Sequence, residues 1–249
     1  MTRAVRADDE LRLFGLNAVR AAFAARPDDL RKLWLVAGRM ADLRELLAFC
    51  VANRRGYSVV EPEELARIAG TQHHEGVVMA ARRVEERPLS VFLRDLPQGP
   101  CQLLWLEGIG NPHNFGAILR AGAHFGAAAV LLPKASPLAL SGAAARVAEG
   151  GAEALPVVRL GRGDNAVQQL QGLGFELLAT VVRDGEDVYA RPLPARCVWV
   201  LGAEGEGLDP ALAAACARRV GIPGSGAVES LNVASAAAVL LAEWARQRR

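Results

Sequence analysis

Apolar positions along this chain alternate between two patterns. Short continuous apolar runs suit strands buried on both faces, and stretches where apolar residues recur every third or fourth position suit helices with one apolar side. From Phe14 to about Arg83 the two are mixed. "GLNAVRAAFAAR" reads as a helix, "KLWLVA" as a strand, and "ADLRELLAFCVANR" as a helix with Gly56 past its end. "YSVVE" reads as a strand, "PEELARIAG" as a helix opened by Pro62 and followed by Gly70, and "GVVMAARR" as a strand. Residues 1–10 are polar and expected to be loose. "VEERPLSVFLRDLPQGP" is rich in charge and proline, which places a linker at 86–99 between a small first domain, 11–85, and a second, 100–249.

The second part is a regular alternation. The strands are "CQLLWLEGI", "AAAVLL", "LPVVRL", "FELLATVV", "CVWVLGAE" and the short "RVGIP". The helices between and after them are "NFGAILRAGAHFG", "SGAAARVAEGGA", "DNAVQQLQGLG", "DPALAAACAR" and the terminal stretch from Val228. Strands alternating with helices predict an α/β fold with a parallel sheet covered on both faces. Such sheets bind ligands outside the carboxyl ends of their strands.

Composition narrows the class. Hydrophobic residues make up 51% of the 249 and charged residues 22%, enough for packed cores and against general disorder. A net charge of +2 excludes a histone-like polycation but leaves room for a local basic patch that binds nucleic acid. Cys50, Cys101, Cys197 and Cys216 form no CxxC pair, so no zinc site is expected and the thiols read as reduced and mostly buried, in a cytoplasmic protein. The first residues lack the apolar core of a signal peptide, and no charge-free run of about 18 apolar residues predicts a membrane span.

Three strand-end loops carry candidate chemistry. The first, "LEGIGNPHNFGAILR", holds Asn111 and Asn114, both able to cap a helix start, and Arg120 further along that helix; by itself it reads equally as two caps and a surface arginine. The second, "WVLGAEGEGL", interleaves glycines with Glu204 and Glu206. Its spacing is GxxGxG rather than the dinucleotide fingerprint GxGxxG, and its acids would repel a pyrophosphate, so it suits a neutral or cationic ligand, or a turn. The third, "IPGSGAVESLNVASAA", sets Ser230 and Asn232 at the start of the last helix, where capping alone would explain them. Three such loops in one sheet, each at a carboxyl end, shift the balance toward a site.

In this order, the three blocks closely resemble the SpoU (TrmH-like) group of the SPOUT superfamily of RNA methyltransferases. The resemblance covers about residues 100–249 and rests on Asn114 with Arg120, on "GAEGEGL", and on "IP" followed by "ESLNVA". The stretch from "LRLFGLNAVRAAF" to "TQHHEGVVMAARR" is similar to the small α/β RNA-binding domain, akin to certain ribosomal proteins, that many members carry in front. The resemblance implies methyl transfer from S-adenosylmethionine to a ribose 2′-hydroxyl of tRNA or rRNA. It also implies a methyltransferase domain knotted as a deep trefoil and a homodimer, with no metal. Catalytic positions implied by the motifs are Arg120, Asn114, Glu204, Ser230 and Asn232. Cofactor contacts would come from Leu201, Gly202, Gly207, Ile222, Gly226 and Leu231. RNA would meet Arg120, Arg146 and, in the first domain, Arg20, Arg54 and Arg55.

The family view gives Arg120 the central role at the 2′-hydroxyl. A guanidinium keeps its proton at neutral pH, so Arg120 is either a base in an altered environment or a donor that grips the neighbouring phosphate and steadies developing oxyanion charge. Two other classes of reading stand beside this one. An RNA-binding or assembly protein of the same fold would lack turnover, and a nicotinamide enzyme would need the glycine spacing that is missing here. Their ligands separate them: a methyl donor, RNA alone, or NAD(P).

Overall fold

The computed structural model describes residues 9–161, 165–203 and 208–248. In chain order its strands and helices are β1 (Glu10–Phe14), α1 (Leu16–Ala25), β2 (Leu30–Leu35), α2 (Arg44–Ala52), β3 (Gly56–Val59), α3 (Pro62–Ala69), β4 (Val77–Arg82), β5 (Arg87–Pro88), α4 (Leu89–Arg94), β6 (Cys101–Leu106), α5 (Pro112–His124) and β7 (Ala129–Leu132). There follow α6 (Gly142–Ala148), α7 (Gly151–Ala154), β8 (Val157–Arg159), α8 (Ala166–Gly172), β9 (Glu176–Thr180), β10 (Glu186–Asp187), β11 (Arg196–Leu201), α9 (Pro210–Ala215), β12 (Arg218–Gly221) and α10 (Val233–Arg246).

The chain divides into two compact units. One comprises the residues up to Glu85 together with Ala139–Glu153; the other comprises Glu86–Leu138 and Ala154–Arg249. The segment carrying α6, which the sequence pattern assigns to the second domain, therefore belongs to the first unit. Residues 86–99, read as a linker, carry β5 and α4 instead, and α4 buries Leu89 and Phe92 in the second unit's core.

The first unit is a four-stranded sheet in the order β1-β4-β2-β3. β4 is antiparallel to both β1 and β2, and β3 runs parallel to β2 at one edge. β1 is a strand that the sequence pattern did not assign, and only Glu10 of it falls in the stretch expected to be loose. Its alternation of Glu10 and Arg12 with buried Leu11 and Leu13 is the period of a half-buried strand. Leu13, Leu33, Leu35 and Met79 pack with Val19, Leu46 and Ala145 on one face, while Leu65 of α3 meets Phe14 and Val78 on the other.

α6 fits this unit because Gly142 has no side chain. A Cβ there would stand 2.4 Å from the Arg12 carbonyl oxygen and 2.4 Å from the Phe14 ring. Polar contacts fasten the same segment. Arg26 makes a bidentate pair with Glu153 at 2.8 Å and also donates to Asp29 and the Arg82 carbonyl. Glu75 accepts from the Leu16 amide at 3.0 Å and lies 3.5 Å from Arg146.

The second unit is an eight-stranded sheet, β10-β12-β9-β11-β6-β7-β8-β5, in which every pairing is parallel. Its central strands are buried on both faces, as parallel strands flanked by helices must be; every residue of β6 and β7 is buried. Gln102 is the polar exception. Its amide donates to the Phe125 carbonyl at 2.9 Å and its carbonyl oxygen accepts from the Trp199 indole at 3.3 Å, so it is buried with its hydrogen bonds made. At the carboxyl end of β8, Arg159 spends all five N–H donors. It pairs with both oxygens of Glu86 and donates to the carbonyls of Pro133, Ser136 and Leu138.

Two outcomes test this packing. Gly142→Ala forces a methyl onto a backbone carbonyl and an aromatic ring, and is expected to destabilise the first unit by about 1–3 kcal/mol; an unchanged urea midpoint would contradict the fit. Burial pushes the thiols of Cys50, Cys101 and Cys197 above their ordinary range and that of Cys216 up to about 11. The native chain should therefore react slowly with Ellman's reagent at pH 7 and give four fast thiols only when unfolded.

Candidate active site at the carboxyl ends of the parallel strands

β6 and β11 are neighbours in register, Leu106 beside Leu201, and the Glu107 amide continues the ladder by donating to the Leu201 carbonyl at 2.8 Å. Their outgoing chains part. After β6 the chain enters α5, whose Gly122 abuts Leu104 on one face of the sheet; after β11 it enters α9, whose Leu212 joins Trp105 and Leu103 in the core on the opposite face. Neighbouring strands whose connections leave on opposite faces open a crevice between them, the place where open α/β sheets hold ligands.

The first motif forms the start of α5. Pro112 occupies the first helical turn, and the Asn111 side chain accepts from the amides of His113 at 2.8 Å and Asn114 at 3.3 Å. Asn111 is thus the cap, and Asn114 is released from that role. The third motif forms the start of α10, where Asn232 Oδ1 accepts from the Ala234 amide at 2.9 Å. Asn232 does more than cap: its amide nitrogen donates to Asn114 Oδ1 at 3.0 Å. One hydrogen bond thus joins the first and third motifs across 118 residues of sequence.

Arg120 sits on α5, exposed, and its guanidinium has no hydrogen-bond or ion-pair partner among the described residues. Ser230 is exposed in the loop before α10. Leu201 is buried at the end of β11, with Gly202 half-buried after it, and Ile222 is half-buried just past β12. Gly226 has a left-handed backbone, φ +82°, and Leu231 is 46% exposed. Arg183 pairs with Glu229 at 2.8 Å, tying the loop after β9 to the loop before α10. Glu204 and Gly207 lie outside the described residues.

The basic residues expected to meet RNA fall in the first unit, Arg120 aside. Arg146 lies against Gly15 and Glu75. Arg20 donates to the Asp42 carbonyl at 2.7 Å and Arg55 to the Asp28 carbonyl at 3.1 Å. Arg54, exposed and with a left-handed backbone, φ +52°, at the end of α2, keeps its guanidinium unspent among the described residues. His74 is buried and its Nδ1 accepts from the Gly76 amide at 3.0 Å, a turn-holding role. Trp244 packs inward and donates to the Pro194 carbonyl.

Sequence reasoning did not single out Glu107. Strand periodicity carries the signal: Glu107 follows Trp105 by two, so both side chains leave the same face, and the Trp105 indole donates to Glu107 Oε2 at 3.0 Å. Among the described residues no cluster of side chains suits a metal ion, and no helix is long and apolar enough to cross a membrane.

Comparison with known proteins matches the model of the SpoU rRNA Methylase family over residues 102–242. A second model, RNA 2′-O ribose methyltransferase substrate binding, matches residues 12–87. The chain is 37% identical, over 97% of its length and 69% of the other protein, to an uncharacterized tRNA/rRNA methyltransferase, YfiF, of Escherichia coli O157:H7. It is 35% identical, over 95% of its length and 97% of the other, to the 23S rRNA (guanosine-2′-O-)-methyltransferase RlmB of Bordetella pertussis. Among solved structures, the AdoMet-bound rRNA methyltransferase of Sinorhizobium meliloti superposes with a TM-score of 0.77 at 22% identity, over 97% of this chain and 88% of that one.

The two roles of Asn232 can be separated by mutation. Asn232→Ser keeps a capping oxygen and loses the bond to Asn114, whereas Asn232→Ala loses both. The alanine variant should be less stable than the serine variant by about 1 kcal/mol in urea unfolding. Equal stabilities would show that the cap contributes nothing.

Proposed function

The chain belongs to the SpoU rRNA methylase family, and on that premise we propose that it transfers the methyl group of S-adenosylmethionine to a ribose 2′-hydroxyl of rRNA or tRNA. The observation that carries this reading is the Asn232–Asn114 bond, which draws the first and third motifs together, with Arg120 on the same helix as Asn114. A homodimer, a C-terminal segment threaded as a trefoil knot, and a cytoplasmic location belong to the same reading. The matched substrate-binding model at 12–87 supports RNA as the substrate and the first unit as the part that holds it.

The loops at the ends of β11 and β12 suit the cofactor. Gly224 and Gly226 have no heavy atom within 4 Å of where a Cβ would stand, and Val228 and Leu231 are 72% and 46% exposed, apolar surface that a nucleoside would cover. Leu201, Gly202, Ile222, Gly226 and Leu231 would hold it, together with Gly207. The sulfonium supplies an electrophilic methyl carbon whose departure needs no metal. Glu204 provides a negative charge for a cationic centre.

The chain's own residues position the acceptor. With no carboxylate partner among the described residues, the Arg120 guanidinium has its donors available for the phosphate beside the target ribose and for the oxygen as it gains charge. Asn232 is fixed at once by its helix and by Asn114, and Ser230 lies two residues before it. Holding the 2′-hydroxyl in line with the methyl group supplies much of the rate.

The test is incubation of the purified chain with radiolabelled S-adenosylmethionine and unmodified rRNA and tRNA. The expected product is a 2′-O-methylnucleoside in one RNA class, reduced at least about 100-fold by Arg120→Ala. Binding of RNA with no binding of S-adenosylmethionine would instead favour an assembly factor of the same fold.

A further inference from the structure

A second cleft opens at the carboxyl end of the sheet, on the face that carries α8 and α9. Its volume is about 470 Å³, within the usual range of about 300–1,000 Å³ for small-ligand sites. Trp105, Glu107, Lys134, Asn165, Gln168 and Asp209 supply its polar and aromatic lining. Of the described residues assigned above to the cofactor, none lines it. Yet it adjoins them, because Glu107 donates its amide to Leu201 and Gly108 lies against Ala203.

The charge pattern argues against a phosphate as the group held inside. Among the described lining residues there are two carboxylates and one ammonium, and Lys134 is exposed. Asp209 caps α9, its Oδ1 accepting from the amides of Ala211 and Leu212 at 3.0 Å each, which holds it at the exposed start of that helix. Glu107 is oriented but not spent. The Trp105 indole fixes Oε2, and Oε1 has no donor among the described residues. An ionised carboxylate only accepts, so its ligand must present N–H or O–H groups. Asn165 makes no capping bond with its side chain, which leaves a carboxamide that can both donate and accept.

Unpaired RNA bases are read on their Watson–Crick edges. Guanine alone among the four presents two adjacent donors there, N1–H and N2–H, in the spacing of a carboxylate's two oxygens. Uracil offers one donor between two carbonyls, and adenine and cytosine each set a ring-nitrogen acceptor beside their donor. We propose that this cleft is a base-reading subsite that holds an unpaired guanine of the bound RNA on Glu107, with Lys134 reaching that nucleotide's phosphate. The inference rests on the RNA methyltransferase reading and extends it to base recognition next to the reaction centre.

The experiment titrates the full chain with GMP, AMP, CMP and UMP by ligand-observed NMR, with S-adenosylmethionine binding measured by calorimetry on the same preparations. GMP is expected to bind about tenfold or more tightly than the other three, the scale of a hydrogen bond to a charged group. Glu107→Gln should bring GMP down to the level of the others. Glu107→Asp, which keeps the acceptor pair, should retain part of the preference. Lys134→Ala should weaken all four alike, by about threefold. Equal binding of the four nucleotides, no binding of any, or a guanine preference that survives Glu107→Gln would overturn the subsite. The calorimetry separates the two readings. Failure of the wild-type chain to bind S-adenosylmethionine counts against methyl transfer, whereas normal cofactor binding in Glu107→Gln shows a folded variant and leaves the nucleotide result to decide the cleft.

Discussion

The pairing of β6 with β11 is the constraint on which the rest of the site depends. These strands lie far apart in sequence, yet they run in register from Cys101 beside Arg196 to Leu106 beside Leu201. Because the pairing is parallel, both carboxyl ends open at the same edge, and because their connections leave on opposite faces, that edge is split. On one side of the split stand α5 and α10 with Asn114, Arg120 and Asn232. On the other stand Trp105 and Glu107. A slip of one residue in this ladder would exchange the faces of Leu104 and Trp105 and dismantle both sides together.

Guanidinium groups do much of the tying in each unit. Arg159 gathers Glu86 and the carbonyls of the loop 133–138, which positions Lys134 at the mouth of the second cleft. Arg26 gathers Glu153, Asp29 and the Arg82 carbonyl in the first unit. Both are half-buried forks with near-complete hydrogen bonding, a geometry that lysine could not reproduce. Arg120 is their opposite: the same group, exposed and without a partner among the described residues.

Much of this was legible in the sequence, and the exceptions have physical causes. Continuous apolar runs identified the central strands, and the three polar strand-end loops pointed to a candidate site, because those signals are local. β1 was missed because Glu10 and Arg12 give a five-residue strand half its positions in water. β5 and α4 were hidden in a segment whose charge and proline content suggested a linker, although Leu89 and Phe92 are buried. Asn111 and Asn114 both read as able to cap; Asn111 takes that role, and no periodicity could have announced that Asn114 would receive Asn232 from the last helix. Glu107 drew no notice because its meaning comes from the indole two residues before it. The membership of Ala139–Glu153 in the first unit depends on Gly142 meeting β1, a contact between distant parts of the chain.

That borrowed segment also bears on how the protein is made. The residues before Glu86 are synthesised ahead of the second unit, but the unit they build lacks α6 and Glu153, the bidentate partner of Arg26, until roughly 70 residues later. At about 5–20 residues per second, that is a wait of several seconds. During it, the slot that Gly142 will fill beside Phe14 stays open, and the first four strands of the second unit's sheet, β5 to β8, are only partly in hand. The nascent chain thus finishes its first unit only after it has begun its second, and the order of translation is not the order of folding.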